Sequence, residues 1–108
     1  SIGIPEGDSR FKRIVDFYIA HLGDEAQRVA TKIANDLRLA GFSVEIRYAP
    51  MSLKAHMKTA DKIGASRVIM IGDEELNRNG VTVRDMSTKE QLVVRIDDLV
   101  GFFQGESH

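Results

Sequence analysis

The sequence contains no cysteine. A disulfide framework and a zinc or iron–sulfur centre ligated by cysteine are therefore excluded, and the composition fits a reducing compartment. No apolar run approaches the roughly 20 residues that a membrane-spanning helix needs. Residues 1–8 also lack the basic start and long apolar stretch of a signal peptide, so we expect a cytoplasmic protein with no membrane partner.

An excess of either charge is missing as well. The 15 Lys and Arg residues are balanced by 16 Asp and Glu residues, and the formal net charge is −1. A domain that binds nucleic acid by charge alone is usually strongly basic, so tight independent binding to a duplex is not expected. A local basic face stays possible. With 43% hydrophobic and 29% charged residues, the 108 residues suit one globular domain.

Apolar periodicity divides the chain into alternating strands and helices. Residues 1–13 show no such periodicity and indicate a linker or the edge of an excised segment. Residues 14–104 are predicted to form the folded domain, and residues 105–108 are predicted to form a tail. The predicted strands are 16–22, 42–48, 68–71, 81–84 and 91–96. Predicted helices begin at the N-cap residues Asp24, Ser52 and Asp97, and the second has an apolar stripe at Leu53, Met57, Ala60 and Ile63.

The order of these elements predicts the topology of the sheet. The segment 73–80 is too short for a full crossover helix, so strand 81–84 should return antiparallel to strand 68–71. Right-handed crossovers place the first strand between the second and the third. We therefore predict a three-layer α/β/α fold with a five-stranded mixed sheet of order 2-1-3-4-5, in which strand 4 is antiparallel. The strict alternation in residues 42–48 indicates an edge strand.

No catalytic motif accompanies this fold. The three histidines, His21, His56 and His108, have no carboxylate at metal-ligand spacing, and we interpret them as ordinary surface or partly packed residues. A Gly-x-Ser-x-Gly elbow, a P-loop and a Gly-x-Gly-x-x-Gly turn are all absent from the sequence. We therefore expect no catalytic residue, no metal and no cofactor in this domain.

The acidic run Asp73-Glu74-Glu75 offers one alternative. It follows the third strand, at the edge where open α/β sheets bind ligands, so a magnesium or nucleotide site is a hypothesis. Phosphate-accepting receiver domains also carry acidic residues after the first strand, whereas residues 20–23 here read Ala-His-Leu-Gly. We favour the interpretation that Asp73 caps a short turn and that Glu74 and Glu75 accept hydrogen bonds or are solvated.

The second helix carries the more informative charges. Lys54, Lys58 and Lys62 recur every four residues and therefore share one helix face, opposite the apolar stripe. Arg47 and Tyr48 end the preceding strand, next to the start of this helix. Such an edge can bind phosphates while an unpaired base stacks on the tyrosine. Periodicity alone does not distinguish it from the solvated face of an amphipathic helix.

Three consecutive segments carry a family resemblance. Residues 52–65 contain Ser-Leu-Lys, then Ala-Asp-Lys and Gly-Ala, and the similarity continues through 68–76 and 80–86. In order and spacing these segments resemble the C-terminal domains of histidyl-tRNA synthetases, over roughly residues 16–103. One departure is Lys89, because that family often has glycine in this turn.

The resemblance implies an anticodon-binding domain that docks the anticodon stem-loop of the histidine tRNA. A separate class II catalytic domain of the same polypeptide, absent from this chain, would use ATP and Mg²⁺ to charge the tRNA, and the parent would be a homodimer. By position, the implied tRNA-binding residues are Arg47, Tyr48, Lys54 and Lys58, with Arg84 and Glu75 contacting base edges. The alternative is a regulatory or protein-interaction module of a synthetase paralogue, as in histidine biosynthesis or nutrient sensing.

Overall fold

A computed structural model of the chain describes residues 15–106. The predicted linker 1–13 and His108 lie outside the described residues. The elements are β1 (Phe17–His21), α1 (Asp24–Leu39), β2 (Val44–Ile46), α2 (Leu53–Ile63), β3 (Arg67–Ile71), α3 (Asp73–Asn77), β4 (Gly80–Asp85), β5 (Gln91–Arg95) and α4 (Leu99–Glu106). A short 3₁₀ turn, Ile96–Asp98, leads into α4.

The five strands form one sheet of order β2-β1-β3-β4-β5, as predicted. β1 pairs in parallel with both β2 and β3, whereas β4 is antiparallel to its neighbours β3 and β5. Every residue of β1 is buried, as expected for a parallel strand covered on both faces. The predicted fold class is therefore confirmed.

Each face of the sheet has its own apolar core. On one face, α1 and α4 pack on side chains such as Ile19 and Ile69, and the Phe103 ring meets Phe17 edge-on at 4.9 Å between centroids. On the other face, Ala60 of α2 packs against Tyr18 and neighbouring residues of β1 and β3. β5 has only one buried residue, so on the α2 side the outer part of the sheet is left open.

Local sequence determines where the helices begin. Ser52 caps α2 as predicted, because its Oγ accepts a hydrogen bond from the Ala55 N–H at 3.2 Å. The predicted Asp97 cap is wrong, because Asp97 lies inside the 3₁₀ turn that precedes α4. The predicted Asp24 cap is wrong as well. Gly23 precedes α1 with a φ of 116° and makes no side-chain cap, so Asp24 is the first helical residue, where its charge favours the helix N-terminus.

Most predicted strand boundaries shift by one or two residues, and two of the boundary changes have a structural reason. β2 ends at Ile46 and not at residue 48, since the Arg47 carbonyl bonds to the His21 side chain instead of to a neighbouring strand. α4 continues to Glu106, past the predicted start of a tail at residue 105, because buried Leu99 and Phe103 hold it on the sheet. Residues 107 and 108 lie outside the described part. None of the helices within residues 15–106 is long and apolar enough to cross a membrane.

Candidate functional site

The orientation of α2 decides which of its residues are available. His56 and Ala60 are fully buried, and the Tyr18 hydroxyl lies 2.7 Å from Nδ1 of His56. Because His56 takes an inward position, the predicted apolar stripe is partly wrong: Leu53 is 40% exposed. The prediction of a surface or partly packed histidine is also wrong for His56.

The flank of α2 nearest β4 lines a basic cleft of about 350 Å³. Its lining residues are Lys54, Met57, Lys58, Asp61, Arg84, Met86 and Lys89. Four of the seven are cationic, and the two methionines supply adaptable apolar surface. The cleft therefore combines donors for an anion with a surface for a flat apolar group. Met57 lies with the lysines, although the sequence placed it on the opposite side of the helix.

Arg84 forms the sheet side of the basic cleft. Its Nη1 donates to Oε1 of Gln91 at 3.0 Å, across the β4–β5 ladder. Its Nε is buried and has no hydrogen-bond partner among residues 15–106. The guanidinium also lines the basic cleft, and its planar geometry suits carboxylates, phosphates and base edges.

A second cleft of about 490 Å³ lies at the C-terminal edge of β3, and we call it the sheet cleft. It is lined by Leu22, Leu53, Met70, Ile71, Gly72, Glu74, Glu75, Arg78, Thr82, Gln91, Leu92 and Val93. Apolar side chains thus alternate with a few convergent polar groups, the usual composition of a small-ligand pocket.

Glu75 is the most constrained polar group of the sheet cleft. Its Oε1 accepts from the Gly72 N–H at 2.9 Å, and its Oε2 accepts from the Thr82 hydroxyl at 2.9 Å and from Arg78 at 3.3 Å. Burial alone would raise the pKa of this carboxyl, but the Thr82, backbone and Arg78 interactions outweigh it and lower the pKa. Glu75 is therefore an ionised acceptor at neutral pH, as the sequence interpretation allowed.

Tyr48 belongs to a third, smaller cleft of about 190 Å³, the tyrosine cleft. Its lining residues are His21, Leu22, Gly23, Asp24, Gln27, Tyr48, Ala49, Pro50 and Met51. The Tyr48 ring is 50% exposed, and its hydroxyl lies 3.4 Å from the Thr31 hydroxyl. An exposed aromatic face of this kind is available for stacking.

The structure brings only some of the predicted site residues together. Lys54, Lys58 and Arg84 share the basic cleft, Glu75 lies in the sheet cleft and Tyr48 in the tyrosine cleft. The last two clefts adjoin, since Leu22 lines both. Arg47 lines none of the three; its side chain is 47% exposed and pairs with Glu45 at 3.4 Å.

Sequence reasoning did not select several residues that line the clefts. Arg78, Thr82 and Gln91 surround Glu75 or Arg84, and Lys89 completes the basic cleft. The outward position of Thr82 was visible in its alternation with the buried Val81 and Val83. Lys89 was noted only as a departure from glycine, and its φ of 67° shows why glycine suits that position.

Comparison with known proteins gives a consistent result. The sequence profile of the family described as "Anticodon binding domain" matches residues 16–106. The chain is 39% identical over 90 residues to a histidine–tRNA ligase of Staphylococcus aureus, covering 83% of this chain. It spans only 21% of that relative's length.

Solved structures agree in fold. Apo histidyl-tRNA synthetase of Staphylococcus aureus superposes with a TM-score of 0.77 at 39% identity, covering 82% of this chain and 26% of that one. A histidyl-tRNA synthetase of Nostoc sp. PCC 7120 gives a TM-score of 0.79 at 23% identity, covering 88% of this chain and 23% of that one. The resemblance predicted from the sequence is confirmed.

Proposed function

The chain belongs to the anticodon binding domain family, and on that premise we propose that it binds the anticodon stem-loop of a tRNA as one module of a histidine–tRNA ligase. The tRNA is the one that accepts histidine. ATP, Mg²⁺ and histidine bind a separate class II catalytic domain of the parent enzyme, which is a homodimer. This domain contributes tRNA affinity and anticodon selectivity, and carries no catalytic residue.

The convergence of four cationic side chains in the basic cleft is the observation that carries the proposal. Lys54, Lys58, Arg84 and Lys89 come from α2, from β4 and from the turn before β5, yet they line one cavity. If Lys54 and Lys58 formed only the solvated face of an amphipathic helix, cationic side chains from outside the helix would not be expected beside them. Phosphate groups are bound mainly by such lysines and arginines, and these contacts position the RNA without reading its sequence.

Base recognition is assigned to the polar groups at the sheet edge. The ionised carboxylate of Glu75 only accepts hydrogen bonds, and it therefore suits a base amino or imino group. The guanidinium of Arg84 only donates, and it suits the oxygen and nitrogen acceptors of a purine. Single-stranded loops expose these base edges, whereas a duplex RNA groove does not.

Tyr48 and Arg47 provide the remaining contacts. The Tyr48 ring is half exposed beside the sheet cleft, and an unpaired base can stack on it. The Arg47 side chain is also exposed, and its pairing with Glu45 at 3.4 Å is weak enough to be exchanged for a phosphate. Stacking and phosphate contact would thus extend the bound loop toward α1.

The test is the affinity of the domain for a labelled anticodon stem-loop, measured by fluorescence anisotropy over a range of salt concentrations. The double variant Lys54→Ala/Lys58→Ala should weaken binding and reduce the slope of log K against log salt by about 0.7 for each phosphate that is no longer neutralised. Lys62→Ala is the matched control for each single variant, Lys54→Ala and Lys58→Ala, because it removes one lysine charge from the last turn of α2, outside the three clefts. Equal effects of the double variant and of the control, or no effect of either, would contradict the proposal.

A further inference from the structure

His21 lies directly beneath the segment that connects β2 to α2. The residue ends β1, is only 7% exposed, and its Nε2 is 2.7 Å from the carbonyl oxygen of Arg47. A carbonyl oxygen can only accept a hydrogen bond, so Nε2 of His21 carries the hydrogen and donates it. The histidine therefore connects the end of the interior strand β1 to the backbone of a residue assigned to RNA binding.

The other side-chain contacts of residues 47 and 48 in the β2–α2 loop, residues 47–52, are at exposed positions: Arg47 pairs with Glu45 at 3.4 Å, and the Tyr48 hydroxyl lies 3.4 Å from that of Thr31. β2 ends at Ile46, and within residues 15–106 no backbone–backbone hydrogen bond outside the helices and strands involves residues 47–51. Tyr48 is in this loop, and its ring centroid lies 6.0 Å from that of His21, at an angle of 41°. Both loop residues assigned to RNA binding thus contact the same buried side chain.

His21 itself rests on a rigid base. Its ring centroid is 5.8 Å from that of His56, which is fully buried and lies 2.7 Å from the Tyr18 hydroxyl. Burial lowers the pKa of His56, so this base is uncharged at neutral pH. His56 is therefore a buried, neutral ring packed beneath His21.

We propose that His21 is a positioning residue for tRNA binding. Its Nε2–H holds the Arg47 carbonyl and its ring supports Tyr48, so that the loop presents the arginine and the aromatic face before RNA arrives. The inference rests on the proposed function, because it assumes that Arg47 and Tyr48 contact the stem-loop. A loop ordered in advance loses less conformational entropy on binding, and the gain appears as affinity.

His21→Phe tests this role, because phenylalanine keeps a ring and removes the donor. We expect lower ¹⁵N backbone order parameters at Arg47, Tyr48 and Ala49 in the free domain. We also expect about fivefold weaker stem-loop binding, the loss that one neutral hydrogen bond accounts for. His21→Gln retains an N–H donor, and it should restore part of the loop order parameters and part of the stem-loop affinity. Should His21→Phe not fold, His21→Ala takes its place with the same measurements.

Phe103→Leu is the control for stability. It removes buried volume from the core between the sheet and α4, where the ring packs on Phe17 on the face of the sheet opposite α2. It should lower the melting temperature and leave the loop order parameters and the RNA affinity unchanged. Unchanged order parameters or unchanged affinity in His21→Phe would overturn the positioning role. If Tyr48→Ala and the Lys54/Lys58 variant also bind normally, it is the proposed function that has failed.

Discussion

Replacing Lys89 by glycine should stabilise the domain and weaken its RNA binding at the same time. Lys89 has a φ of 67°, in the turn between β4 and β5, where its N–H donates to the Asp85 carbonyl at 2.8 Å. An L-residue in this left-handed region costs about 1 to 2 kcal/mol. Glycine removes that strain but loses about 0.5 to 1 kcal/mol more through backbone entropy.

From the middle of each range, the difference is a gain of about 0.75 kcal/mol in the free energy of unfolding, which corresponds to about 3 to 6 °C in melting temperature for a domain of this size. Urea unfolding and thermal melting measure it. Removing the charge from the basic cleft should at the same time lower the stem-loop affinity and its salt dependence.

Lys89→Ala separates the two effects. Alanine removes the ammonium group and keeps a Cβ at the same φ, so it should weaken RNA binding as glycine does without raising stability. A glycine variant that is less stable than the wild type would refute the reasoning about backbone strain. Normal RNA affinity in both variants would remove Lys89 from the binding surface.

Two predictions concern pH. Because burial lowers the pKa of His56 below its ordinary value of 6.5, the unfolded chain binds a proton there before the folded chain does. The free energy of unfolding should therefore fall as the pH drops below about 7, by up to about 1.4 kcal/mol per pH unit. Urea unfolding at a series of pH values measures this slope, and His56→Gln should make it shallower. An equally steep slope in His56→Gln would contradict the role of His56. Thr82→Val removes a donor to Glu75 at 2.9 Å and should destabilise the domain by about 1 to 2 kcal/mol at pH 7. The lowered pKa of Glu75 stabilises the fold only while the group is ionised. That difference should therefore shrink as the pH falls below the ordinary value of 4.5 and through the lower folded pKa, and a difference that stays constant over the whole acid limb of the curve would argue against it.

Local sequence determined the elements and their order. Ser52 and Gly64 bound α2 because a serine hydroxyl caps the first turn and a glycine accepts the left-handed φ of 75° at its end. The short segment between β3 and β4 leaves room only for an antiparallel return, and right-handed crossovers then leave one strand order. These are short-range constraints, and a single sequence displays them directly.

Tertiary packing decided the site. The period of α2 indicates that Lys54 and Lys58 share a face, but only packing on the sheet turns that face toward Arg84, which comes from a strand much later in the chain. The inward-facing His56 contacts Tyr18 of β1, and the carbonyl of Arg47 contacts the side chain of His21. Such contacts join residues far apart in sequence, and their geometry follows from strand register and helix rotation, which periodicity leaves free.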